Sequence, residues 1–475
     1  MTAAGRPALS VSMAPEREFS SFRDPAGELF WQAGAIYRGI NRCYERQFRT
    51  ALQSGLLEGC VADRLLLPFE VVDAAHSRYV ALLKPRQLSF ISYPYEWSFD
   101  QLKDAAIVTL ELHLRALRHG MLLKDASAFN IQMVDGRPCL IDHLSFDLAS
   151  EHSVWPAYGQ FCRHFLAPLA LMAYVDLGLG RLLQTHIDGV PLDLAARLLP
   201  RRTRLRPGLL MHLHLHARLV HKHGSSGRKV AARPLSPESM AAIASSLLAL
   251  IEKLSPRRQA TEWSSYYSDT NYSAAAFSAK ERTVRELVQA SAARTVWDIG
   301  ANDGHFSRVI RDLADEIVSI DVDPRAVNSN YLQCRRNDIR NIVPLLADIN
   351  NPTPALGFAN RERRALCERG RPDLILALAL VHHLAISNNL PFAYIAEFLA
   401  AQCRSLVIEF VPKSDSQVQR LLLNRRDIFD DYTEEHFREA FSAAFAILER
   451  RAIPSSDRSL YLMRSKASEQ RSKNR

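Results

Sequence analysis

The chain has 475 residues, of which 47% are hydrophobic and 23% charged; this excludes a wholly disordered chain and leaves room for two or three domains. The formal net charge of +9 permits an anionic partner without requiring one, because the arginines are scattered along the sequence. Seven cysteines without a Cys-x-x-Cys pair argue for a reducing compartment and against a cysteine-built zinc site.

The composition divides the chain into two folded segments with polar ends. Residues 1–24 and 466–475 are polar, and we expect both to be disordered tails. The stretch Ser255-Pro-Arg-Arg-Gln-Ala260 predicts a boundary between an α+β domain with a helical lobe, residues 25–255, and a second domain, residues 261–465. Neither a signal peptide nor an apolar run long enough for a membrane span is visible, so we expect a cytoplasmic protein without membrane contact.

An acidic stretch in the first segment is typical of phosphotransferases. Asp125 and Asn130 lie five residues apart in a predicted loop, and Asp142 follows a predicted hairpin that turns at Asp135-Gly136. Kinases use a catalytic Asp, a metal-binding Asn and a second metal-binding Asp in this order. The stretch therefore resembles the catalytic and metal loops of small-molecule kinase-like phosphotransferases.

Two departures from that resemblance leave its function open. Lys124 stands where those loops carry a Gly, or an Arg after a His, and no glycine-rich phosphate loop precedes the stretch. Only Arg38 or Lys84 could replace the phosphate-binding lysine. The alternatives are a phosphotransferase that uses Asp125, Asn130 and Asp142 with Mg-ATP, and a structural hairpin with capping aspartates.

A glycine turn in the second segment predicts a nucleotide site. An apolar strand ends at Asp298, a tight loop with Gly300, Asn302 and Gly304 follows, and an amphipathic helix begins at His305. Gly300 permits a sharp turn and a close approach of ligand, and the helix start offers free N–H groups. The Asp-x-Gly-x-x-x-Gly spacing differs from that of dinucleotide sites. It resembles motif I of the Rossmann-like S-adenosylmethionine (SAM) methyltransferases.

Acidic residues follow the next two predicted strands. The strand 316–321 ends in Asp321, which is placed to accept hydrogen bonds from ribose hydroxyls, with Asp323 as the alternative. The strand 342–347 is followed by Asp348, where the resemblance implies a contact with the adenine amine.

A fourth predicted strand, 373–381, is apolar enough to be buried on both faces and is followed by His382 and His383. Methyl transfer depends on alignment of the acceptor with the methyl carbon. If the acceptor is a hydroxyl, a histidine at this edge could act as the general base. The alternative is that one histidine caps a helix and the other packs in the core.

Two basic clusters do not predict other partners. Five histidines lie close together, and the first three are spaced two residues apart. This spacing would distribute their side chains around a helix, and no acids or cysteines accompany them, so we expect no metal site. They are His212, His214, His216, His221 and His223. The run Arg361–Arg371 lacks aromatic stacking partners, which favours a solvated loop and argues against nucleic-acid binding.

Four motifs together resemble the NoeA-type host-specific nodulation proteins and their bacterial relatives. The motifs are Tyr93–Phe99, Leu123–Asn130, Leu140–Phe146 and Trp297–Gly304, and the resemblance spans roughly residues 25–465. Members are often described as SAM-dependent methyltransferases. The resemblance implies a class I Rossmann-like sheet behind a kinase-like N-terminal α+β domain. It also implies SAM as the cofactor.

That resemblance implies a cofactor site and leaves the acceptor unnamed. The implied cofactor-binding residues are Asp298, Gly300, Asn302, Gly304, Asp321, Asp323 and Asp348. We expect a small-molecule acceptor rather than a macromolecule. The N-terminal domain would present this acceptor or act as a pseudokinase-like module; a scaffold without catalysis in either domain is the remaining alternative.

Overall fold

The computed structural model describes residues 15–72, 78–219, 234–256, 274–423, 426–454 and 456–467. Its N-terminal half, up to residue 256, contains a five-stranded antiparallel sheet and a helical region. Its C-terminal half, from residue 274, contains a seven-stranded sheet that is mostly parallel. In these ranges no helix is both long and apolar enough to cross a membrane.

The N-terminal sheet begins within the predicted tail. Its strands are β1 (Glu16–Arg17), β2 (Gly27–Gln32), β3 (Ala35–Ile40), β4 (Phe69–Val72) and β5 (Ala81–Pro85), in the order β1-β2-β3-β5-β4. The expectation of a disordered segment 1–24 is therefore wrong for its last ten residues, because β1 pairs with β2. Residues 1–14 and 468–475 of the predicted tails lie outside the described residues.

Helices and two short sheets complete the N-terminal half. The helices are α1 (Glu45–Gln53), α2 (Leu56–Ala62), α3 (Phe99–Arg118), α4 (Tyr158–Phe161), α5 (Ala167–Tyr174), α6 (Leu182–Thr185), α7 (Leu192–Leu198), α8 (Pro207–Leu209) and α9 (Pro237–Lys253). The short sheets pair β6 (Met121–Leu123) with β9 (Phe146–Leu148), and β7 (Ile131–Val134) with β8 (Arg137–Leu140). The β7–β8 hairpin turns at Asp135 and Gly136, whose φ angles of 49° and 75° confirm the predicted turn.

The C-terminal sheet has the topology of a doubly wound nucleotide-binding fold. Its strands are β10 (Thr295–Ile299), β11 (Glu316–Asp321), β12 (Ile342–Leu346), β13 (Leu374–Ala377), β14 (Ser405–Phe410), β15 (Phe445–Ala452) and β16 (Ser459–Ser465). They lie in the order β12-β11-β10-β13-β14-β16-β15, and β16 runs antiparallel to both of its neighbours, β14 and β15, while the other pairs are parallel. The chain reverses its direction of winding between β10 and β13, which is where such sheets bind ligands. The predicted parallel-rich α/β sheet is confirmed.

Helices cover both faces of this sheet. They are α10 (Ala274–Ser291), α11 (His305–Val309), α12 (Pro324–Arg336), α13 (Phe392–Gln402), α14 (Ser416–Leu422) and α15 (Glu434–Ala444). All four residues of β13 are buried, as a central strand covered on both faces requires.

The two halves are joined by a buried ion pair and a covered strand edge. Arg369 Nη1 donates to Glu96 Oε2 over 2.7 Å, and both side chains are at most 2% exposed. Gln101, in the first turn of α3, donates to the Pro344 carbonyl on the free edge of β12, which protects that edge from pairing with another chain. The expectation of a solvated loop over Arg361–Arg371 is therefore wrong at Arg369, because Glu96 offsets the cost of burying its charge.

Candidate cofactor site

A cavity of about 300 Å³ lies at the carboxyl ends of β10, β11 and β13. Six of the nine residues that the sequence places in a site line it: Asp298, Gly300, Asn302, Asp321, Asp348 and His383. The other three, Gly304, Asp323 and His382, are not among its lining residues. The cavity occupies the switch point of the sheet, the position that the strand order predicts for a ligand.

Asp298 ends the first strand of the sheet and anchors the turn that follows. Its side chain is buried, and its Oδ2 accepts a hydrogen bond of 2.6 Å from Ser307 Oγ at the start of α11. Ser307 Oγ also lies 3.0 Å from Ser319 Oγ on the adjacent β11, from which it can accept. Burial raises the pKa of Asp298 to about 7, because the hydrogen bond from Ser307 only partly offsets the loss of solvent.

The turn itself depends on two glycines in the left-handed region. Gly300 has a φ of 75° and donates its N–H to the Ile320 carbonyl at 2.9 Å, so the loop folds back against β11. Gly304 has a φ of 76°, and a Cβ at this position would overlap the side-chain amide of Asn330. Gly300 thus permits close packing of Leu380, where a Cβ would lie 3.2 Å from Leu380 Cδ1, whereas Gly304 permits close packing of α11 against α12.

Asp321 presents a carboxylate to the cavity from the end of β11. Its Oδ2 accepts the N–H of Asn302 at 2.7 Å and its Oδ1 accepts the N–H of Asp323 at 2.9 Å. Burial raises the pKa of Asp321 to about 6 even though both backbone N–H groups favour the charged form. Each oxygen can accept a further hydrogen bond, so the group can bind a diol without giving up its backbone contacts.

The next two predicted acids have different roles. Asp323 caps α12, where its side chain accepts from the N–H of Arg325 at 2.8 Å. Asp348 lines the cavity, and its Oδ1 accepts from the N–H of Asn350 at 2.9 Å. The geometry therefore favours Asp321 over Asp323 as the residue that faces a ligand.

The two histidines after β13 are not equivalent. His382 is 1% exposed, and within the described part of the chain neither of its ring nitrogens has a hydrogen-bond partner. His383 lines the cavity and its ring centroid lies 4.2 Å from that of His382. Burial, with a smaller contribution from Arg458, lowers the pKa of His383 to about 4. His383 is therefore a neutral imidazole at pH 7.

Sequence inspection missed a buried ion pair at the same cavity. Lys280 of α10 lines the cavity, and its Nζ lies 2.6 Å from Glu409 Oε2 at the end of β14. A glutamate within the apolar stretch Leu406–Val411 was a usable signal, since a buried acid requires a partner. The partner could not be identified, because 129 residues separate the pair. The aromatic and hydroxyl residues of the segment Trp263–Tyr272 favour either a lid over the cofactor or a packing segment between the domains, and this segment lies outside the described residues.

The acidic stretch of the N-terminal half forms a second charged cluster. Arg38, on β3, donates to Asp142 Oδ1 at 2.9 Å and also pairs with Asp24. Asp125 Oδ1 accepts from the N–H of Ser127 at 2.9 Å and from Gln160 at 2.8 Å. Of the two residues that could replace the phosphate-binding lysine, Arg38 and Lys84, it is Arg38 that contacts Asp142.

The pKa values of this cluster reflect the position of Arg38. Burial raises the pKa of Asp142, but Arg38 and Ser145 outweigh it, and the pKa lies below its usual value. Burial, with repulsion by Asp142, raises the pKa of Asp125. Across the described ranges no group of three or more His, Cys, Asp or Glu side chains is arranged to hold a metal ion.

The histidine cluster is part of the helical core. His212 Nδ1 lies 3.0 Å from the Tyr158 hydroxyl and its Nε2 lies 3.1 Å from Ser246 Oγ. His214 Nε2 lies 2.9 Å from Thr203 Oγ1. These contacts give the two buried rings polar partners without a metal. His221 and His223 lie outside the described residues.

Strand order and cavity together define a Rossmann-like α/β protein with a nucleotide-type site in its C-terminal half. No family model matches the chain. Nodulation protein NoeA of Rhizobium meliloti (strain 1021) is 34% identical over 465 residues, which are 95% of this chain and 97% of that protein. The chain therefore belongs to the family of nodulation protein NoeA.

Solved structures of methyltransferases are similar to part of the chain. N-methyltransferase NodS from Bradyrhizobium japonicum WM9, in complex with S-adenosyl-L-homocysteine (SAH), is 16% identical with a TM-score of 0.32, covering 44% of this chain and 94% of its own. Magnesium protoporphyrin IX methyltransferase from Synechocystis PCC 6803 with bound SAM is 14% identical with a TM-score of 0.30, covering 42% and 87%. These TM-scores are low, so the class of the fold depends on the chain's own strand order.

Proposed function

We propose that the protein is a SAM-dependent methyltransferase whose cofactor binds in the cavity at the ends of β10, β11 and β13. The observation that carries the proposal is the carboxylate of Asp321. It stands at the end of the second strand of a doubly wound sheet, fixed by two backbone N–H groups, and it faces the switch-point cavity beside the glycine turn. This arrangement suits a ribose diol.

The residues around the cavity match the remaining groups of such a cofactor. We assign Asp348 as the acceptor for the adenine amine, and Gly300 as part of the wall beside the amino-acid end; both residues line the cavity. The acidic walls suit a ligand that carries a sulfonium and an ammonium. When bound, the cofactor supplies an electrophilic methyl carbon, and the chain contributes the alignment of the acceptor with it.

His383 is the residue that we place beside the acceptor. Its neutral ring can accept a hydrogen bond from an acceptor O–H or N–H and orient the attacking lone pair. His382 supports it by ring contact from the core and does not itself face the cavity.

A second proposal concerns the N-terminal half, which we infer to be a pseudokinase-like module. The observation that favours it is the contact between Arg38 on β3 and Asp142 after the β7–β8 hairpin. In a phosphotransferase, Arg38 would stand for the cation that binds phosphate and Asp142 for the acid that binds the metal. The Arg38 guanidinium, however, is already paired with Asp24. A nucleotide phosphate would have to displace Asp24, which argues against turnover and leaves presentation of the acceptor as the alternative role.

Calorimetric titration separates these proposals. We expect wild-type protein to bind SAM and SAH, and we expect Gly300→Arg to abolish both, because the new side chain enters the cavity from a backbone with a φ of 75°. Mg-ATP should bind weakly or not at all. If Mg-ATP binds tightly and Asp142→Ala removes that binding, the phosphotransferase alternative is favoured. If neither SAM nor Mg-ATP binds, a scaffold without catalysis is favoured. Labelled SAM incubated with cell extract would then identify the acceptor.

A further inference from the structure

The cavity has an uneven distribution of charge. Three carboxylates, those of Asp298, Asp321 and Asp348, line it. Among its described lining residues Lys280 is the single Lys or Arg side chain. For a ligand with both cationic and anionic groups, the cavity therefore offers three carboxylates to the cations and one ammonium to the anion.

Lys280 is held in a fixed position by Glu409. Their ion pair of 2.6 Å is almost fully buried, with side-chain exposures of 4% and 0%. Glu409 Oε2 also accepts the N–H of Ala379 at 2.7 Å. On the opposite side, Arg458 lies 3.6 Å from Glu409 Oε1 and pairs with Asp415. Lys280, Arg458, Glu409 and Asp415 thus form a cluster of two cations and two anions, in which Lys280 is the cation that lines the cavity.

Glu409 also fixes the part of the cavity that faces the glycine turn. Ala379 has a φ of 47°, a conformation that costs about 1–3 kcal/mol for a residue other than glycine. The bond from its N–H to Glu409 holds that conformation, and the next residue, Leu380, packs against Gly300. One carboxylate thus positions both the ammonium of Lys280 and a wall of the cavity.

We propose that Lys280 binds the carboxylate at the amino-acid end of the cofactor, and that Glu409 is the positioning residue that holds Lys280 in place. The inference rests on the proposed function. A carboxylate placed among three acids would be repelled unless a cation receives it. The ammonium of Lys280 carries three donors, and a charge-assisted hydrogen bond is the strongest contact that it can offer. Lys280 would thereby select ligands that retain the carboxylate.

The test compares two ligands that differ in the amino-acid end. SAH carries the carboxylate, whereas 5′-methylthioadenosine lacks the whole end. We expect Lys280→Met to weaken SAH binding about 10- to 100-fold in titration calorimetry, the range for a hydrogen bond to a charged group. Binding of 5′-methylthioadenosine should change less than about threefold on the same scale. Arg285→Met, on the same helix but paired with Asp312 outside the cavity, is the matched control and should change neither.

If Lys280→Met weakened the binding of SAH and of 5′-methylthioadenosine to the same extent, the inference would be overturned. If wild-type protein binds neither ligand, the proposed function fails instead, so the two failures are distinguishable. Because Lys280→Met leaves Glu409 buried with one cation fewer, Lys280→Met/Glu409→Gln is the second variant, and its glutamine can still accept from Ala379. A third measurement needs no variant: decarboxylated SAM should bind the wild type at least about tenfold more weakly than SAM, and equal affinities would overturn the inference.

Discussion

Asp142 of the N-terminal half differs from Asp298 and Asp321 of the C-terminal cavity in the direction of the pKa shift. In the N-terminal cluster Arg38 lies between Asp24 and Asp142, and it holds the pKa of Asp142 below its usual value. In the C-terminal cavity the pKa of Asp298 is raised to about 7 and that of Asp321 to about 6, with burial as the first cause of each. An acid whose charge is already paired with an arginine stabilises the fold. An acid whose pKa is raised by burial has its charged form stabilised when a cationic ligand binds.

The largest effect should come from removing the cation of the N-terminal cluster. Arg38→Met leaves Asp24 and Asp142 without their common partner, and breaking a buried pair costs about 3–5 kcal/mol of unfolding free energy. Urea unfolding measures the loss, and SAM affinity should be unchanged. Lys84→Met on the neighbouring β5 is the control and should cost less than about 1 kcal/mol. A loss of SAM binding in folded Arg38→Met would show that the two clusters are coupled.

The next effect concerns turnover at the cavity. His383→Ala should slow methyl transfer about a hundredfold, the low end for a residue that handles an acceptor proton, because a ring with a pKa of about 4 is a weak base. The Kd for SAM should stay within about threefold, since we place this ring beside the acceptor. Ser387→Ala, which also lines the cavity, is the control. Unchanged turnover in His383→Ala would remove the catalytic role.

A smaller effect separates backbone strain from packing at the glycine turn. Gly304 and Gly55 both have a φ of 76°, but a Cβ would overlap Asn330 at Gly304 and meet nothing within 4 Å at Gly55. Gly55→Ala should cost about 1 kcal/mol from the left-handed backbone. Gly304→Ala should cost about 2 kcal/mol more, the typical cost of overpacking. Equal losses of unfolding free energy would mean that Asn330 moves aside freely.

Local patterns predicted the parts of the site that a single stretch of chain encodes. An apolar strand that ends in an acid, followed by glycines, was enough to predict the turn at Gly300 and the carboxylate of Asp321, because both depend on residues close in sequence. The same local signal could not separate Asp321 from Asp323, since the choice depends on which carboxylate faces the cavity. It also placed His382 beside His383, although only His383 reaches the cavity.

Contacts between distant segments were beyond the sequence patterns. Lys280 and Glu409 meet across the sheet, and neither residue type signals the other. Arg369 was assigned to a solvated loop because the run around it lacks aromatic stacking partners, yet its side chain is buried in an ion pair with Glu96 of the other half. In each case tertiary contact decides whether a charge is buried, and hydrophobic periodicity carries no information about that contact.

The contrast between Asp142 and the cavity acids should also appear in the pH dependence of the free energy of unfolding. Asp298 has a folded pKa of about 7, above that of an unfolded aspartate, so its contribution to stability is fully present below pH about 4 and is lost as the pH rises through 7. Asp142 has a lowered pKa, so its contribution is present at neutral pH and is lost on acidification. The stability of the unliganded protein therefore depends on pH in opposite directions through Asp142 and through Asp298.

The titration of Asp298 should also appear directly in the pH dependence of SAM affinity. If SAM binds only the charged form of Asp298, a pKa of about 7 implies that affinity rises about tenfold from pH 6 to pH 8. Asp298→Asn keeps an acceptor for Ser307 and removes the titration of this one group, so calorimetry on this variant gives the pH dependence that comes from Asp321 and from the ligand's own amino group. Subtracting that curve isolates Asp298. A wild-type curve parallel to that of Asp298→Asn would mean that the carboxyl group does not change its charge when the cofactor binds.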